Sequence, residues 1–309
     1  MGNTFSYFEG ETKKDTDQQE DFDDGLLNDL ANQVEELIRE LDEGMEDAIE
    51  ECEEEEEVVR KYGWIRDCAD HRDWTYMNLG MKIAPDDLPE EVDLRECCPP
   101  VYDQGKLGSC TANAIAAAYE FDEVKQHNKE DFIPSRLFIY YNEREMEDHV
   151  DKDDGAEIRD GIKSVAKQGV CHENMWPYDI RRFKMKPDGE CYEDATHHRG
   201  LKYARVGQNL NEMKHCLSEG YPFVFGFKVY SSFESDEVAR TGYMHMPLTG
   251  DLIEGGHAVM AVGYTEEYFI IRNSWGDKWG DGGYFYMPYA YILDPELAGD
   301  FWTIRRVSV

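Results

Sequence analysis

The chain has 309 residues, of which 67 are Asp or Glu and 32 are Lys or Arg, so its formal net charge is −35. Residues 1–60 alone contain 23 acidic and 4 basic side chains and carry a net charge of −19. A charge of this sign repels nucleic acid phosphates, which argues against a DNA or RNA partner. The length allows one or two domains with a large apolar core.

The eight cysteines include no Cys-x-x-Cys pair, so we expect neither a structural zinc site nor any other metal or cofactor. The first residues lack the apolar run of a secretory signal, and no run of 18 apolar residues indicates a membrane span. We therefore predict an intracellular or virion-associated protein with mostly reduced thiols. Cys171 and Cys191, which bracket a loop containing Pro and Gly, are the pair most expected to form a disulfide.

The chain begins with MGNTFS, which fits the N-myristoylation pattern with Gly2 as the acylated residue. The alternative is an unmodified tail, and residues 1–25 are predicted to be a disordered acidic tail in either case. A single acyl chain gives only weak membrane binding. Peripheral membrane contact through Gly2 is therefore one of two alternatives for this end of the chain.

Residues 26–62 are predicted to form an acidic amphipathic helix. Its apolar side chains follow a near-heptad spacing, at Leu27, Leu30, Val34, Leu37, Leu41, Met45 and Ile49. The pattern leaves three roles open: a surface helix, a pro-segment, or an arm that binds a protein partner through residues 26–57. Residues 63–87 show no period and contain Gly and Pro, which predicts an extended linker.

In the remaining chain, the predicted secondary structure changes from helices to strands near residue 200. Helices are predicted over residues 109–121, 134–147 and 158–168. Short runs rich in Val, Ile, Phe and Tyr then predict strands, at residues 222–230, 255–264, 267–275 and 282–288. A helical half followed by a β half predicts an α+β fold with a cleft between a mainly helical lobe, 88–200, and a mainly β lobe, 201–309.

Cys110 stands in the first turn of a predicted helix that Ser109 can cap. Unpaired amides at a helix N-terminus favour a thiolate, which is the nucleophilic form of cysteine. A nucleophilic thiol also needs a base, and His257 stands at the start of a predicted strand. Asn273 ends the next strand after a short turn, so it can hold the His257 ring, with Trp275 shielding that hydrogen bond.

The segments QGKLGSC, GGHAV and NSWGDKWGDGGY occur in this order, and Asn273 lies 16 positions after His257. Together they resemble the papain family of cysteine peptidases over roughly residues 88–309. The resemblance implies a two-lobed fold with a helical left lobe and an antiparallel, β-barrel-like right lobe. It implies Cys110 as the nucleophile, His257 as the general base and Asn273 as the residue that orients the base. Gln104 would donate its side-chain amide to the oxyanion hole, beside the backbone N–H of Cys110.

The resemblance also implies protein or peptide substrates and a Cys110–His257 couple held largely as thiolate and imidazolium. Six residues would bind substrate along the cleft: Gly155, Ala156, Ile158, Gly226, Gly255 and Gly256. Those expected at the second specificity pocket are small or apolar, which favours a hydrophobic substrate side chain. Leu107 replaces a cysteine that many relatives use in a disulfide, and Thr111 replaces the usual Trp.

The sequence therefore predicts a cysteine endopeptidase that hydrolyses peptide bonds through an acyl-enzyme. The acidic N-terminal segment would restrain it as a precursor. The first 87 residues lack the usual inhibitory helix motif of this family, and YGWIRDCADHRDWTY loosely resembles a segment of microbial and viral members. Two alternatives stay open: a catalytically silent binding scaffold whose cleft is closed by residues 1–87, and an acyl transferase in which an amine or thiol replaces water.

Overall fold

The computed structural model describes residues 60–80, 88–127 and 132–308, together with Gln33, Val34, Glu36 and Arg39. The chain divides into two compact units, residues 1–58 and 59–309. In the first unit, the four described residues are helical and exposed. The predictions for Gly2, for residues 1–25 and for the remainder of residues 26–57 lie outside the described residues.

Helices dominate the first half of the second unit. They are α1 (Cys110–His127), α2 (Arg136–Met146), α3 (Ile158–Lys167) and α4 (Gly189–Ala195). Ser135 caps α2 by accepting a hydrogen bond from the backbone N–H of Phe138. Gly169 follows α3 with a φ of +90°, a conformation that glycine adopts without a steric penalty. The three helices predicted from the sequence are therefore present, with ends shifted by a few residues.

Seven of the described strands form one antiparallel sheet. They are β2 (Val92–Asp93), β4 (Gly200–Arg205), β5 (Phe223–Tyr230), β6 (Ile253–Tyr264), β7 (Tyr268–Arg272), β8 (Tyr284–Pro288) and β9 (Ala298–Val307). The order is β4-β9-β5-β6-β7-β8, with β2 added to β6. The expected barrel-like lobe is therefore wrong in one respect, because the described strands form an open sheet whose ends, β4 and β8, do not pair.

Strand β6 supplies side chains to both apolar cores of this unit. Met260 and Val262 belong to the core that packs against α1, whereas Val259 and Ala261 belong to the core on the opposite face. The alternation follows from the period of two along a strand. Three short helices cover that opposite side: α5 (Leu210–Ser218), α6 (Asp236–Thr241) and α7 (Tyr289–Leu293). Because β6 is buried on both faces, its side chains are held rigidly.

Residues 60–67, which we call the strap, run across the second unit before the first lobe begins. Within the strap, β1 (Trp64–Ile65) pairs in parallel with β3 (Ala156–Glu157), so the two form a separate small sheet. Residues 60–62 are not helical. The strap therefore crosses the predicted boundary between the helix 26–62 and the linker 63–87.

Residues 73–77, which we call the anchor, are integrated into the β lobe. Tyr76 is fully buried, and its hydroxyl lies 2.8 Å from Nδ1 of His215. The backbone N–H of Arg205 donates to the carbonyl of Trp74 at 2.7 Å. Between the strap and the anchor, residues 68–72 are mostly exposed. The predicted linker, residues 63–87, thus contains an exposed turn at residues 68–72 and, after it, the packed anchor.

Cys171 and Cys191, the pair considered as an exception among mostly reduced thiols, do not form a disulfide. Both cysteines are free and buried, and their thiols are in hydrogen-bonding contact. In the described ranges, no helix combines the length and apolar character that crossing a membrane requires.

Candidate active site

Cys110 is the first residue of α1 and is fully buried. Its sulfur lies within hydrogen-bonding reach of the backbone of Ala258 and of Gly63. Burial raises the pKa of the Cys110 thiol to about 12, and the backbone hydrogen bonds from Ala258 and Gly63 reduce this shift without cancelling it. The thiol is therefore protonated at neutral pH in this state.

His257 lies in β6, directly before Ala258, so the fold brings the predicted base to the predicted nucleophile. Its Nε2 lies 2.8 Å from Oδ1 of Asn273, which follows β7 in the β6–β7 hairpin. Since that oxygen can only accept, the neutral ring carries its proton on Nε2. Nδ1 is buried and has no hydrogen-bond partner among the described residues. The lone pair of Nδ1 is thus available to take a proton.

Trp275 covers the imidazole of His257, as expected. The two rings stack with centroids 4.9 Å apart and planes inclined by 24°. Burial lowers the pKa of His257 to about 4, while its hydrogen bond with Asn273 opposes the shift. The imidazole and the Cys110 thiol are therefore both neutral here. This differs from the expected thiolate–imidazolium couple, because the strap excludes water from both groups.

Gln104 has a fixed side-chain orientation next to the cleft. Its Nε2 donates to the carbonyl of Leu107 at 2.9 Å and to that of Lys61 in the strap at 3.2 Å. Its Oε1 accepts from the hydroxyl of Ser274 at 2.6 Å. Sequence reasoning missed Ser274, although it directly follows Asn273 in the NSWG segment. The amide that was expected to bind an oxyanion therefore binds a carbonyl oxygen of the same chain.

The strap passes between the two lobes through positions that only glycine fits. A Cβ added to Gly63 would lie 1.8 Å from the carbonyl oxygen of Gly108. A Cβ added to Gly155 would lie 2.0 Å from the carbonyl oxygen of Gly63. The same Gly63 oxygen accepts from the backbone N–H of Ala156 at 2.8 Å. Gly155 and Ala156, both predicted to bind substrate, therefore bind the strap.

Three strap side chains occupy the cleft on either side of Gly63. The Tyr62 ring lies 5.9 Å from the ring of His257, and a Cβ on Gly255 would collide with Tyr62. The Arg60 guanidinium lies 4.1 Å from the Trp275 ring centroid. Trp64 fills a pocket beside two further predicted substrate-binding residues, Gly226 and Gly256. Ile158, the remaining predicted substrate-binding residue, is buried at the start of α3.

A cluster of charged side chains holds the end of the strap, and no motif in the sequence predicted it. Asp67 accepts hydrogen bonds from the backbone N–H of Arg159 at 3.1 Å and from the Trp302 indole at 3.0 Å. Its carboxylate is 3.3 Å from the Arg205 guanidinium. Burial, followed by the nearby Asp300 carboxylate, raises the pKa of Asp67 to about 6.

Two further polar contacts lie at the start of α1. The Thr111 hydroxyl donates to Glu143 at 2.6 Å, and burial raises the pKa of Glu143 well above its ordinary value. The hydroxyl of Ser109, the expected helix cap, contacts the Tyr178 hydroxyl and accepts from Asn113 Nδ2 at 3.0 Å. Thr111, noted only as a departure from the family pattern, thus has a buried acidic partner.

Comparisons with known proteins agree with this arrangement. The family model described as papain family cysteine protease matches residues 88–292. An uncharacterized peptidase C1-like protein of Acanthamoeba polyphaga mimivirus is 45% identical over 81% of this chain and 88% of its own length. A cathepsin B-like protein of Giardia intestinalis is 31% identical over 65% of this chain and 69% of its own length.

A solved structure shares the fold. Xylellain, a cysteine protease from Xylella fastidiosa, superposes with a TM-score of 0.73 and is 46% identical. The match covers 80% of this chain and 96% of the xylellain chain.

Proposed function

The chain belongs to the papain family of cysteine proteases, and we propose that this cysteine peptidase cleaves peptide bonds within proteins through Cys110, His257 and Asn273. We further propose that the strap keeps the enzyme latent as a precursor. One observation carries the second proposal. The Gln104 amide binds the Lys61 carbonyl while the strap buries both Cys110 and His257.

The proposed reaction begins when the strap leaves and water and substrate enter the cleft. Nδ1 of His257 takes the proton of Cys110, and the sulfur attacks the substrate carbonyl carbon. Nε2 of Gln104 and the backbone N–H of Cys110 donate to the oxyanion that forms. His257 then gives its proton to the leaving amine, and water hydrolyses the acyl-enzyme with His257 again acting as base. Asn273 keeps Nδ1 directed at the sulfur throughout.

The exposed turn at residues 68–72 is the point about which we propose the strap detaches. The anchor that follows it is held by the buried Tyr76 and by Asp73, whose carboxylate lies 2.9 Å from the Arg159 guanidinium. Removing the anchor would expose the Tyr76 ring and take from the nearly buried Arg159 its shortest carboxylate contact, which is unfavourable. A turn that lacks such packing opens or is cut more readily. We therefore propose that the active enzyme keeps residues 73–77.

The full chain with Gly63→Ala tests the proposal. The added methyl group would lie 1.8 Å from the Gly108 carbonyl oxygen, so we expect it to displace the strap. We expect this variant to cleave a fluorescence-quenched protein substrate, whereas the wild-type chain is nearly inactive. Gly189→Ala is the matched control, because a Cβ there meets nothing within 4 Å. Adding Cys110→Ser to the Gly63→Ala variant should abolish cleavage.

The two alternatives give different results in the same assay. A catalytically silent scaffold would leave the substrate intact in the Gly63→Ala variant, even if the variant were folded. An acyl transferase would, with an added amine acceptor, form mainly the new amide rather than the free acid. Product analysis by mass spectrometry separates these outcomes from hydrolysis.

The predicted location and partners are retained as proposals. We propose an intracellular or virion-associated enzyme that acts on proteins, which the similarity to a mimivirus protein supports. Acylation of Gly2 and a protein partner for residues 26–57 are separate proposals. Intact-mass measurement of the chain from its natural source tests the first, and co-purification with and without residues 26–57 tests the second.

A further inference from the structure

The pocket that holds Trp64 has room for a large ring because glycines stand at positions 226 and 256. A Cβ on Gly226 would lie 2.0–2.2 Å from three atoms of the Trp64 ring system. A Cβ on Gly256 would lie 2.5 Å from the Trp64 carbonyl oxygen and 2.9 Å from its ring. Neither glycine has a positive φ, so the backbone does not require glycine at either position. What both positions provide is room for a large flat ring.

A nearly buried carboxylate stands at the end of this pocket. Oδ2 of Asp300 accepts from the Trp64 indole N–H at 3.1 Å and from the Asp67 backbone N–H at 2.8 Å. Oδ1 of Asp300 accepts from the Arg205 guanidinium at 2.8 Å. Asp300 has a φ of +58°, a conformation that Asp and Asn adopt more readily than most residues other than glycine.

The two oxygens of Asp300 therefore differ in where their donors come from. Both donors to Oδ2 belong to the strap, whereas the donor to Oδ1 belongs to the β lobe. When the strap leaves, Oδ2 loses both hydrogen bonds and Oδ1 keeps its partner. Water can reach Oδ2 in the emptied pocket, but a ligand side chain that fills the pocket displaces this water, so binding favours a side chain that brings its own N–H group.

The positive charge of Arg205 determines which kind of hydrogen-bond donor is favourable at Oδ2 of Asp300. Its guanidinium lies 2.8 Å from Asp300 and 3.2 Å from Asp73, so a second cation at Oδ2 of Asp300 would lie close to this positive charge. A neutral N–H on an aromatic ring gains the hydrogen bond without this repulsion. Lysine and arginine side chains are therefore disfavoured, and phenylalanine fills the space but leaves Oδ2 unpaired.

From this geometry we infer that the Trp64 pocket is a substrate subsite that selects a tryptophan side chain. Asp300 is the residue that accepts a hydrogen bond from the indole N–H of that side chain. The inference rests on the proposed peptidase function and specifies its substrate class. It replaces the hydrophobic side chain that the sequence favoured with an aromatic side chain that also donates a hydrogen bond.

Indole binding to the full chain carrying Trp64→Gly tests the pocket without requiring catalysis. The probes are indole and 1-methylindole, which differ in the N–H group, and calorimetric titration gives both dissociation constants. A hydrogen bond to a charged acceptor predicts that indole binds at least ~10-fold more tightly. Equal dissociation constants, or no binding of either probe, would overturn the inference.

Asp300→Asn in the same background identifies the acceptor. Asn has one neutral acceptor oxygen, for which the Arg205 guanidinium and the Asp67 backbone N–H already compete, so no carboxylate oxygen remains to accept from an indole. The preference for indole should then disappear. Asn also tolerates a positive φ, so the backbone conformation is retained. A preference that survives this substitution would contradict the role of Asp300.

Trp64→Phe provides a test that does not depend on an emptied pocket. It keeps a ring but removes the N–H, so the strap should open about 10-fold more often, measured as the rate of Cys110 alkylation. Combining it with Asp300→Asn should add little further effect, since both changes remove the same hydrogen bond. Fully additive effects would contradict the inference.

A cleavage profile then separates this inference from the proposed function. In the Gly63→Ala, Trp64→Gly double variant, a peptide library should show one position at which Trp exceeds Phe, Leu and Arg. Indole selectivity without any peptide cleavage would refute the peptidase function and leave the pocket's preference established. Cleavage with Phe equal to Trp would refute the inference and leave the peptidase function intact.

Discussion

The side-chain nitrogen of Gln104 and the backbone carbonyl oxygen of Lys61 are 3.2 Å apart. The donor proposed to stabilise a substrate oxyanion is thus in contact with a peptide group of the strap. Ser274 holds the same amide from the other side, through a 2.6 Å hydrogen bond to Oε1. The Gln104 amide is therefore held in place by the protein's own chain, and a strap carbonyl occupies the position that we propose for the substrate oxyanion.

Removing the Gln104 amide should lower turnover strongly in the opened enzyme. We expect Gln104→Ala, in the Gly63→Ala background, to reduce kcat by ~10²–10³-fold, the usual effect of losing one oxyanion donor. Ser274→Ala should have a smaller effect, about 10-fold, because the amide remains but is less well oriented. Steady-state kinetics on a peptide substrate measure both. An unchanged kcat in Gln104→Ala would exclude this residue from the oxyanion hole.

The pH dependence of strap opening depends on two groups with opposite effects. Docking raises the pKa of Asp67 from 3.8 to about 6, so its contribution to docking is fully present below about 4 and is lost as pH rises through about 6. Docking lowers the pKa of His257 from 6.5 to about 4, so its contribution is present above 6.5 and is lost as pH falls toward 4. In the wild-type chain these two effects partly cancel.

Asp67→Asn should therefore expose the effect of His257. The amide keeps one acceptor oxygen, for either the Arg159 backbone N–H or the Trp302 indole, and it no longer takes up a proton on docking. Between pH 7 and pH 5, we expect the alkylation rate of Cys110, corrected for the reactivity of a fully open variant, to rise more steeply than in the wild-type chain. Asp70→Asn, a change in the exposed turn, is the control. Parallel pH profiles for all three proteins would refute this linkage.

Glu143 should make the folded chain less stable as pH rises. Burial raises its pKa, so its contribution to the free energy of unfolding is present at low pH and is lost as pH increases through the raised pKa. Its Oε2 is buried without a hydrogen-bond partner in the described part of the chain. Glu143→Gln should stabilise the protein at pH 8 by about 1–3 kcal/mol and flatten the pH dependence.

Denaturant unfolding at pH 5 and pH 8 checks the Glu143 prediction. Glu193→Gln, on the exposed side of α4, is the matched control and should leave both values unchanged. A Glu143→Gln variant that is less stable than the wild-type chain at pH 8 would show that the carboxylate is ionised and favourably paired.

The helices and the candidate site could be predicted because their signals are local. The glycine turn before Cys110, the residues around His257 and the NSWG segment each mark one position, and the β6–β7 hairpin brings the last two together. The strap gave no such signal, because its fit depends on contacts between residues distant in sequence. The need for glycine at position 63 follows only from the structure, where an added Cβ would lie 1.8 Å from the Gly108 carbonyl oxygen.

The dependence on contacts between residues distant in sequence also explains the other differences between the predicted and the observed structure. Asp300 belongs to no motif, and its importance follows from its position beside Trp64 and Arg205. The open sheet replaced the expected barrel because strand patterns show which runs are buried but not whether the edge strands pair. The neutral state of the Cys110–His257 couple follows from burial by the strap, which residue types alone do not reveal.

The rate of Cys110 alkylation by an epoxysuccinyl probe tests the central claim most directly. The full wild-type chain and Gly189→Ala should react slowly and equally, and Gly63→Ala should react at least ~10-fold faster, since overpacking of this size commonly costs 1–3 kcal/mol. Adding His257→Ala to Gly63→Ala should remove most of that gain. Equal rates in the wild-type and Gly63→Ala chains, with Cys110 as the labelled residue in both, would contradict a strap-restrained peptidase.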